Sequence, residues 1–337
     1  MKRYVSLMLI VFFVFTLFCF SINVFAAGAE NPIILRYAHV ERIETPQHRY
    51  ATELADLVKE LTEGRVIIQV YPNAQLGEVS EMIDGIKSGT ISMGHHVFAS
   101  LGKIVPNMSV FSAPYVFRDA EHGLKATNPT TSPVLRELNQ QLIEKGNIRV
   151  IGSFTRGYRN LSCNFPVYSP DDVKGQKIRG IPLPIWMSML KGMGAIATPV
   201  AIAEVPTALM TGLVVGQENP LGQMWNSKLY EVQKYIMMTE HMMDVLVVFI
   251  NEKTWQSIPE ADRVLFEKAL SKMADRSLKW AIEKEEDYKA KFREKGVTII
   301  EKKDGLDVDA FKKAILSQIN KDFPEWTEYI ERIQEIR

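Results

Sequence analysis

The chain has 337 residues with 40 basic and 40 acidic side chains, so its formal net charge at pH 7 is zero. Without a basic surplus or a run of like charges, the chain is not expected to bind nucleic acid or to carry a cationic membrane-surface arm. With only two cysteines, Cys19 and Cys163, no framework of disulfides is expected.

Residues 1–26 have the layout of a secretory signal peptide. Lys2 and Arg3 precede an apolar run from Val5 to Phe20, and Val24-Phe25-Ala26 fits a cleavage site. The run is short for a transmembrane helix, although an uncleaved anchor is the alternative interpretation. Bulky Phe18 before Cys19 disfavours a lipoprotein anchor. We therefore expect the protein to be exported, and a remainder of this size predicts two domains.

The first part of the mature chain alternates strand and helix patterns. Predicted strands at Ile33–Val40, Val66–Tyr71 and Ile91–His95 enclose predicted helices at His48–Leu61 and Leu76–Lys87. This βαβαβ order favours a parallel type of sheet with its loops at one edge. A proline-punctuated loop follows over 101–118, then two helices and a strand at Ile148–Phe154.

Residues 157–160 are predicted to form a crossing point into a second α/β unit. In that unit we predict a strand at Lys177–Gly180, a helix from Pro220 to Lys234, and two separate strands at Ile236–Thr239 and Val245–Asn251. A stretch without glycine or proline, Glu260–Arg293, predicts a helix of roughly 50 Å. A helix of that length can span both units.

Arg179 is the first candidate for a binding residue. It lies in the short apolar strand Lys177–Gly180, and its planar guanidinium suits a bidentate contact with a carboxylate. A structural ion pair is an equally acceptable interpretation of this arginine. Spacing alone leaves the two open.

Asn219 precedes Pro220, and this order predicts that Asn219 caps the helix beginning there. Free N–H groups at a helix N-terminus favour anions. Asn219 is therefore a second candidate contact for an acid, and a cap without further function is the alternative.

Metal and catalytic motifs are not apparent in the sequence. His95 and His96 are adjacent on a predicted strand and point to opposite faces, and the other histidines lack ligand spacing. The nucleophile-elbow, phosphate-loop and dinucleotide motifs do not occur in their proper context; the relaxed glycine pattern at 192–197 follows a helix. We therefore expect no metal, no cofactor and no enzymatic activity.

Several short motifs occur in one order along the mature chain: Y-P-N-A-Q-L-G at 71–77, K-G-Q-K-I-R at 174–179, G-Q-E-N-P at 216–220 and Y-E-V-Q-K at 230–234. A further pair, Glu204-Val205 with Ala208-Leu209, lies between the second and third of these. Together they resemble the solute-binding proteins of tripartite ATP-independent periplasmic (TRAP) transporters, of the DctP type. The resemblance covers essentially the whole mature chain.

The resemblance implies a two-lobed periplasmic-binding-protein-like α/β fold. Each lobe would be a mixed sheet flanked by helices, with the long helix spanning both. The implied lobes are residues 30–156 with 245–284, and residues 157–244 with 285–337. Such a protein captures a small organic acid by hinge closure and delivers it to the membrane subunits of the transporter.

The resemblance also implies roles for five residues. Arg179 would form the salt bridge to the carboxylate, Asn219 would contact the same group, and Arg159 matches a second arginine of the family. Glu218 and His241 would support the main arginine, Arg179. Val215 and Pro206 depart from the family pattern and leave the substrate open, while apolar Val40, Val79 and Val97 favour a smaller or more apolar acid than sialic acid.

Two other functions are compatible with the same sequence. An exported enzyme acting on an organic acid would need a nucleophile, base or metal set, and product formation would reveal it. A ligand-binding module that serves a sensor would have the same fold and cleft, and neighbouring genes for membrane subunits would distinguish it from a transport protein.

Overall fold

The computed structural model describes residues 31–337, so the predicted signal peptide lies outside the described residues. Nine strands form one mixed sheet in the order β2-β1-β3-β8-β4-β7-β5-β6, and β9 pairs with β8. The strands are β1 Ile33–Ala38, β2 Val66–Tyr71, β3 Met93–Val97, β4 Ile148–Cys163, β5 Lys177–Gly180, β6 Ile196–Pro199, β7 Gly216–Pro220, β8 Tyr235–Asn251 and β9 Thr298–Ile300.

Helices cover the sheet along the described part of the chain. The α-helices are α1 Pro46–Leu61, α2 Val79–Ser88, α3 Ala120–Ala126, α4 Pro133–Gly146, α5 Pro184–Gly192, α6 Val205–Met210, α7 Leu221–Asn226, α8 Glu252–Ser257, α9 Glu260–Glu294, α10 Val308–Asp322 and α11 Thr327–Gln334. Short 3-10 helices occupy Phe98–Lys103, Pro106–Ser112, Pro170–Val173, Ile202–Glu204, Leu229–Glu231, Lys302–Asp304 and Pro324–Trp326. Within residues 31–337, no helix combines the length and apolarity needed to cross a membrane.

The predicted βαβαβ unit is confirmed. Strand β1 pairs in parallel with β2 on one side and with β3 on the other. Helix α1 begins after Thr45, whose side chain accepts a hydrogen bond from the His48 amide at 3.4 Å. The register pairs Ala38, the last residue of β1, with Gly94, the second residue of β3. The residues that follow β1 therefore lie next to the second half of β3.

Two long strands connect the halves of the molecule, and here the predicted elements were wrong. The two strands predicted at Ile236–Thr239 and Val245–Asn251 are one strand, β8, and the strand predicted at Ile148–Phe154 continues to Cys163 as β4. β4 and β8 pair antiparallel, with register shifts that include one between Thr155 and Tyr158. Gly157 adopts φ +86° at that shift. This glycine provides a bulge that bends a continuous strand.

The helix predicted from Pro220 to Lys234 was also too long. Helix α7 ends at Asn226, because Lys228 adopts a left-handed conformation with φ +52° and turns the chain before the next 3-10 helix. Pro220 itself is the residue that precedes the helix, and Asn219 belongs to strand β7. The proposed N-cap role of Asn219 is therefore wrong.

The long helix α9 has 35 residues and packs against β4, α1 and α7. Its buried positions include Phe266, Leu270 and Met273, which join the main apolar core, and Phe292, which joins a second cluster. That second cluster also includes residues of α6, α7, β8 and β9. One helix thus contributes to both cores, which agrees with the prediction that it spans the molecule.

Candidate functional site

A cleft of about 570 Å³ lies between the β1–β3 half of the sheet and the β5–β7 half. This volume is typical of small-molecule sites. We call this cavity the cleft. Its walls include Val40, Glu41, Val79, His96, Val97, Ser100, Arg156, Arg179, Ile181, Asn219, Gln223 and Leu246.

Arg179 projects from β5 into the cleft and is 1% exposed. Its Nε donates to the carbonyl oxygen of Val200 at 2.8 Å, which fixes the side chain. Its Nη1 is buried and has no hydrogen-bond partner among the described residues. Burial lowers the pKa of Arg179 to about 10, with Glu218 opposing this effect and Arg159 adding to it. The guanidinium remains charged at neutral pH and lacks a bonded carboxylate.

Asn219 lies at the end of β7, beside Arg179 on the cleft wall. Its Nδ2 donates to Gln217 Oε1 at 2.6 Å, and its Oδ1 accepts from Arg159 Nη2 at 3.0 Å. These two bonds determine which way the amide faces. An amide nitrogen carries two hydrogens, so one donor of Asn219 remains for a ligand.

Arg159 differs from Arg179 because its charge is fully compensated. It is 0% exposed, and its Nε and Nη2 bind Glu218 at 2.5 and 2.7 Å. Its Nη1 donates to Asp244 at 3.3 Å. The residues that line the cleft do not include Arg159. Its side chain instead holds the Oδ1 atom of Asn219, which does line the cleft.

Glu218 and His241 were expected to support Arg179, but in the structure they lie beside Arg159. Glu218 accepts from Arg159, from His241 Nε2 at 3.1 Å and from Trp186 Nε1 at 3.0 Å. Neither Glu218 nor His241 hydrogen-bonds to Arg179, so both support Arg159. Strand register explains this, because Leu161 of β4 pairs with Glu218 while Arg179 of β5 pairs with Gln217.

The electrostatics of this buried group follow from its partners. Burial alone would raise the pKa of Glu218, but Arg159 and His241 outweigh it and lower that pKa to about 2. Burial lowers the pKa of His241, with Glu218 opposing. Glu218 is thus a permanent anion that neutralises Arg159.

Three further residues near the cleft, Arg156, Gln223 and Gln47, were not predicted from the sequence. Arg156 Nε donates to Asp244 at 2.6 Å, and Arg156 Nη1 donates to Gln223 Oε1 at 3.2 Å. Gln47 Nε2 donates to the same Gln223 oxygen at 2.8 Å and joins α1 to α7. No local motif marks these residues. The R-x-x-R spacing of Arg156 and Arg159 could have indicated that both arginines belong to the site. Interpreting this spacing requires knowledge of the bulge at Gly157, which lies between them.

A second cavity of about 280 Å³ shares Arg156 and Gln223 with the cleft. It lies between α1 and α9, and Arg49 on its wall already pairs with Glu53 at 2.7 Å. The charge of Arg49 is therefore already paired with a carboxylate, and its side chain is about half exposed to solvent. The cleft is the better candidate for an anion site because it holds Arg179.

A further polar cluster lies beside the cleft, in the β1–β3 half. His39, Glu41 and His95 are all buried, and each has an atom that could ligate a metal within 4.8 Å of the others. Burial lowers the pKa of His95 to about 4, with Glu41 opposing. The expectation that no metal-ligand set exists was based on spacing along the chain, and the parallel pairing of β1 with β3 brings these residues together.

A profile of the bacterial extracellular solute-binding protein family 7, DctP, matches residues 37–323. The chain belongs to this family. The C4-dicarboxylate-binding periplasmic protein DctP of Rhodobacter capsulatus is 31% identical over 261 residues, which are 77% of each chain. The DctP family comprises extracytoplasmic solute-binding proteins of TRAP transporters, and the resemblance found in the sequence is confirmed.

Solved structures of this DctP family are similar over nearly the whole described chain. A TRAP solute-binding protein of Roseobacter denitrificans, with bound L-galactonate, superposes with a TM-score of 0.81 at 28% identity and covers 90% of this chain and 99% of its own. A TRAP protein from Bordetella, with ligand density interpreted as pantoate, gives 0.81 at 25% identity, again with 90% and 99% covered. These neighbours confirm the two-lobed α/β fold.

Proposed function

We propose that this DctP-family protein captures a monocarboxylic hydroxy acid in the cleft and delivers it to the membrane subunits of a TRAP transporter. Arg179 and Asn219 would bind the carboxylate, and Arg159 would hold Asn219 in place. The protein would act in the periplasm after removal of residues 1–26, and would bind its ligand without converting it.

The uncompensated charge of Arg179 carries this proposal. A buried guanidinium without a bonded anion is unfavourable, because burial removes its hydration. A ligand carboxylate would supply the missing acceptor for Nη1 and the missing negative charge. Asn219 could then donate its remaining N–H to the same carboxylate. Since Arg156 is already paired with Asp244, Arg179 is the buried arginine on the cleft wall that remains available to pair with one ligand carboxylate.

The composition of the opposite wall supports a hydroxy acid with an apolar part. That wall combines apolar residues such as Val40, Val79 and Val97 with polar ones, among them Glu41, Glu78, Ser80, Asp84, His96, Ser100 and Lys103. Apolar side chains favour hydrocarbon groups, while the polar groups can accept or donate bonds to hydroxyls. L-galactonate and pantoate, the ligands of the two neighbours, are both monocarboxylic hydroxy acids, and pantoate also has an apolar part.

Hinge closure is the mechanism that we propose for capture. Residues 30–156 with 245–284 would form one lobe, and 157–244 with 285–337 the other. The bulge at Gly157 lies at this boundary, and the Gln47–Gln223 hydrogen bond crosses it. A ligand that contacts both walls favours the state in which they are close together.

A ligand screen tests the proposal. Purified protein is heated with individual sugar acids, hydroxy acids, dicarboxylates and the corresponding uncharged lactones or alcohols. We expect stabilisation by one or a few hydroxy acids and none by the uncharged analogues. Calorimetry of the best acid should give a Kd of about 1 μM and one site. Recovery of a chemically changed acid, or binding of the uncharged analogues with equal affinity, would contradict the proposal.

A further inference from the structure

The cluster of His39, Glu41 and His95 is assembled by strand pairing. Ala38, the last residue of β1, pairs with Gly94 of β3, so His39 follows beside His95. Glu41 lies two residues beyond His39 in the same segment. The rings of His39 and His95 stack with centroids 5.0 Å apart. Three side chains from two neighbouring chain segments thus meet where the carboxyl end of β1 lies beside the middle of β3.

Three atoms of this cluster face one another without hydrogen-bond partners. Glu41 Oε2 lies 3.4 Å from His39 Nδ1 and 3.3 Å from His95 Nε2. All three are buried, and none makes a hydrogen bond of acceptable geometry within residues 31–337. Buried polar atoms in folded proteins almost always have a partner, so three such atoms in one place need an explanation.

The two separations from Glu41 match those between ligands of a tetrahedral metal ion, and all three atoms lie within 4.8 Å of one another. With metal–ligand bonds of about 2.0–2.2 Å, neighbouring donor atoms of a tetrahedron lie about 3.3–3.6 Å apart. The two measured separations fall in this interval or at its edge. At these separations the two histidine nitrogens and Glu41 Oε2 do not meet the geometry of hydrogen bonds.

The other nitrogen of each imidazole has its own partner. His95 Nδ1 lies 2.9 Å from Tyr37 Oη, and His39 Nε2 lies 3.1 Å from His48 Nδ1. A metal-bound histidine typically donates its second N–H to such a partner, which fixes the ring and its tautomer. In that tautomer His39 Nδ1 and His95 Nε2 each keep a free lone pair, which a metal ion between them and Glu41 could accept.

We propose that His39, Glu41 and His95 bind a divalent transition-metal ion, with Zn²⁺ the best match to two imidazoles and one carboxylate. The site lies in the half of the molecule opposite Arg179. Glu41 also lines the cleft, which gives an ion a path from solvent. This proposal does not depend on which acid the cleft binds.

The test uses protein without a polyhistidine tag, freed of metal by a chelator and titrated with Zn²⁺ in a calorimeter. We expect one ion per chain. Co²⁺ should give the visible absorption bands of a tetrahedral nitrogen–oxygen site. His95→Gln and Glu41→Gln should each weaken Zn²⁺ binding by about 100-fold or more, and Tyr37→Phe by about 10–100-fold, as expected for loss of a partner of the ligand.

His122→Gln is the matched control. His122 is a buried histidine of the same half, and it bonds to the Ile333 carbonyl at 3.1 Å away from the cluster. Its Zn²⁺ affinity should equal that of the wild type. Circular dichroism establishes that each variant is folded, and Zn²⁺ should raise the melting temperature of the wild type and His122→Gln but not of Glu41→Gln. Absence of stoichiometric Zn²⁺ binding by the wild type, or unchanged binding by folded Glu41→Gln and His95→Gln, would overturn the proposal.

Discussion

Arg159 and Glu218 form a bidentate ion pair in which both side chains are completely buried, with separations of 2.5 and 2.7 Å. The pair links β4 to β7, since Leu161 lies opposite Glu218. Arg159 also bonds to the side chain of Asn219. One arginine therefore connects the structural ion pair to a residue on the wall of the cleft.

Arg179 lacks such a partner, and this difference separates the two arginines. Each is buried, yet Arg159 has Glu218 and Asp244, while Nη1 of Arg179 has no acceptor among residues 31–337. We infer that Arg159 shapes the site and that Arg179 meets the ligand. The following predictions depend on this division.

Glu218→Gln should destabilise the protein by about 3–5 kcal/mol, because it leaves the buried charge of Arg159 with Asp244 as its only carboxylate partner. Urea denaturation followed by circular dichroism measures the change in the free energy of unfolding. Asp309→Asn is the control, since Asp309 pairs with Lys302 on the surface, and its effect should stay within about 0.5 kcal/mol. A loss below about 1 kcal/mol for Glu218→Gln would show that the pair is not the structural support described here.

The same ion pair predicts a dependence of stability on acid. Partners lower the folded-state pKa of Glu218 to about 2 from its ordinary value of 4.5, against the opposing effect of burial. A depressed pKa contributes stability above pH 4.5, about 3 kcal/mol, which is lost as the pH falls from 4.5 towards 2. The difference in unfolding free energy between wild type and Glu218→Gln should therefore shrink between about pH 5 and pH 3. A difference that stays constant over this range would contradict the prediction.

Arg156 and Arg179 should respond in opposite ways to replacement by methionine. Arg156→Met breaks charged hydrogen bonds to Asp244 and should cost about 1.5–3 kcal/mol of unfolding free energy. Arg179→Met removes an unpaired buried charge and should leave the ligand-free protein equally stable or more stable. Denaturation of both variants without ligand measures this. The reverse order of stabilities would refute the assignment of the free cation to Arg179.

The Gln47–Gln223 hydrogen bond should contribute to ligand affinity through closure. Gln47→Met removes a bond worth about 0.5–1.5 kcal/mol between the proposed lobes, so the affinity for the acid should fall by about 2- to 12-fold. Calorimetry with the acid from the screen measures the affinity. Gln140→Met, at an exposed position of α4, is the control and should bind as the wild type does. If the Gln47→Met variant binds the acid with unchanged affinity, this hydrogen bond does not contribute to closure.

The sequence predicted local elements well where the hydrophobic periodicity agreed with the positions of glycine and proline. The βαβαβ unit and the long helix α9 are examples, since their signals lie within one segment. It failed at β8, which was predicted as two strands, and at β4, whose predicted strand ended at Phe154, because a bulge and a strand end have the same local signature. The partner strand decides between them, and pairing is not visible in a single segment.

The candidate site was predictable only in part, for the same reason. Arg179 and Asn219 could be selected from motifs, and both line the cleft. The register of β7 between β4 and β5 determines which arginine Glu218 supports, and no motif encodes that register. The meeting of His39 with His95 likewise depends on parallel pairing of segments far apart in the chain.

Calorimetry of Arg179→Met with the acid found in the screen tests the central claim most directly. The variant should remain folded and bind the acid about 30-fold more weakly or worse, equivalent to about 2 kcal/mol or more, because the carboxylate loses its buried cation. Arg42→Met, at an arginine that is 62% exposed, should bind normally. Binding of the acid by Arg179→Met within about threefold of wild type would contradict the account.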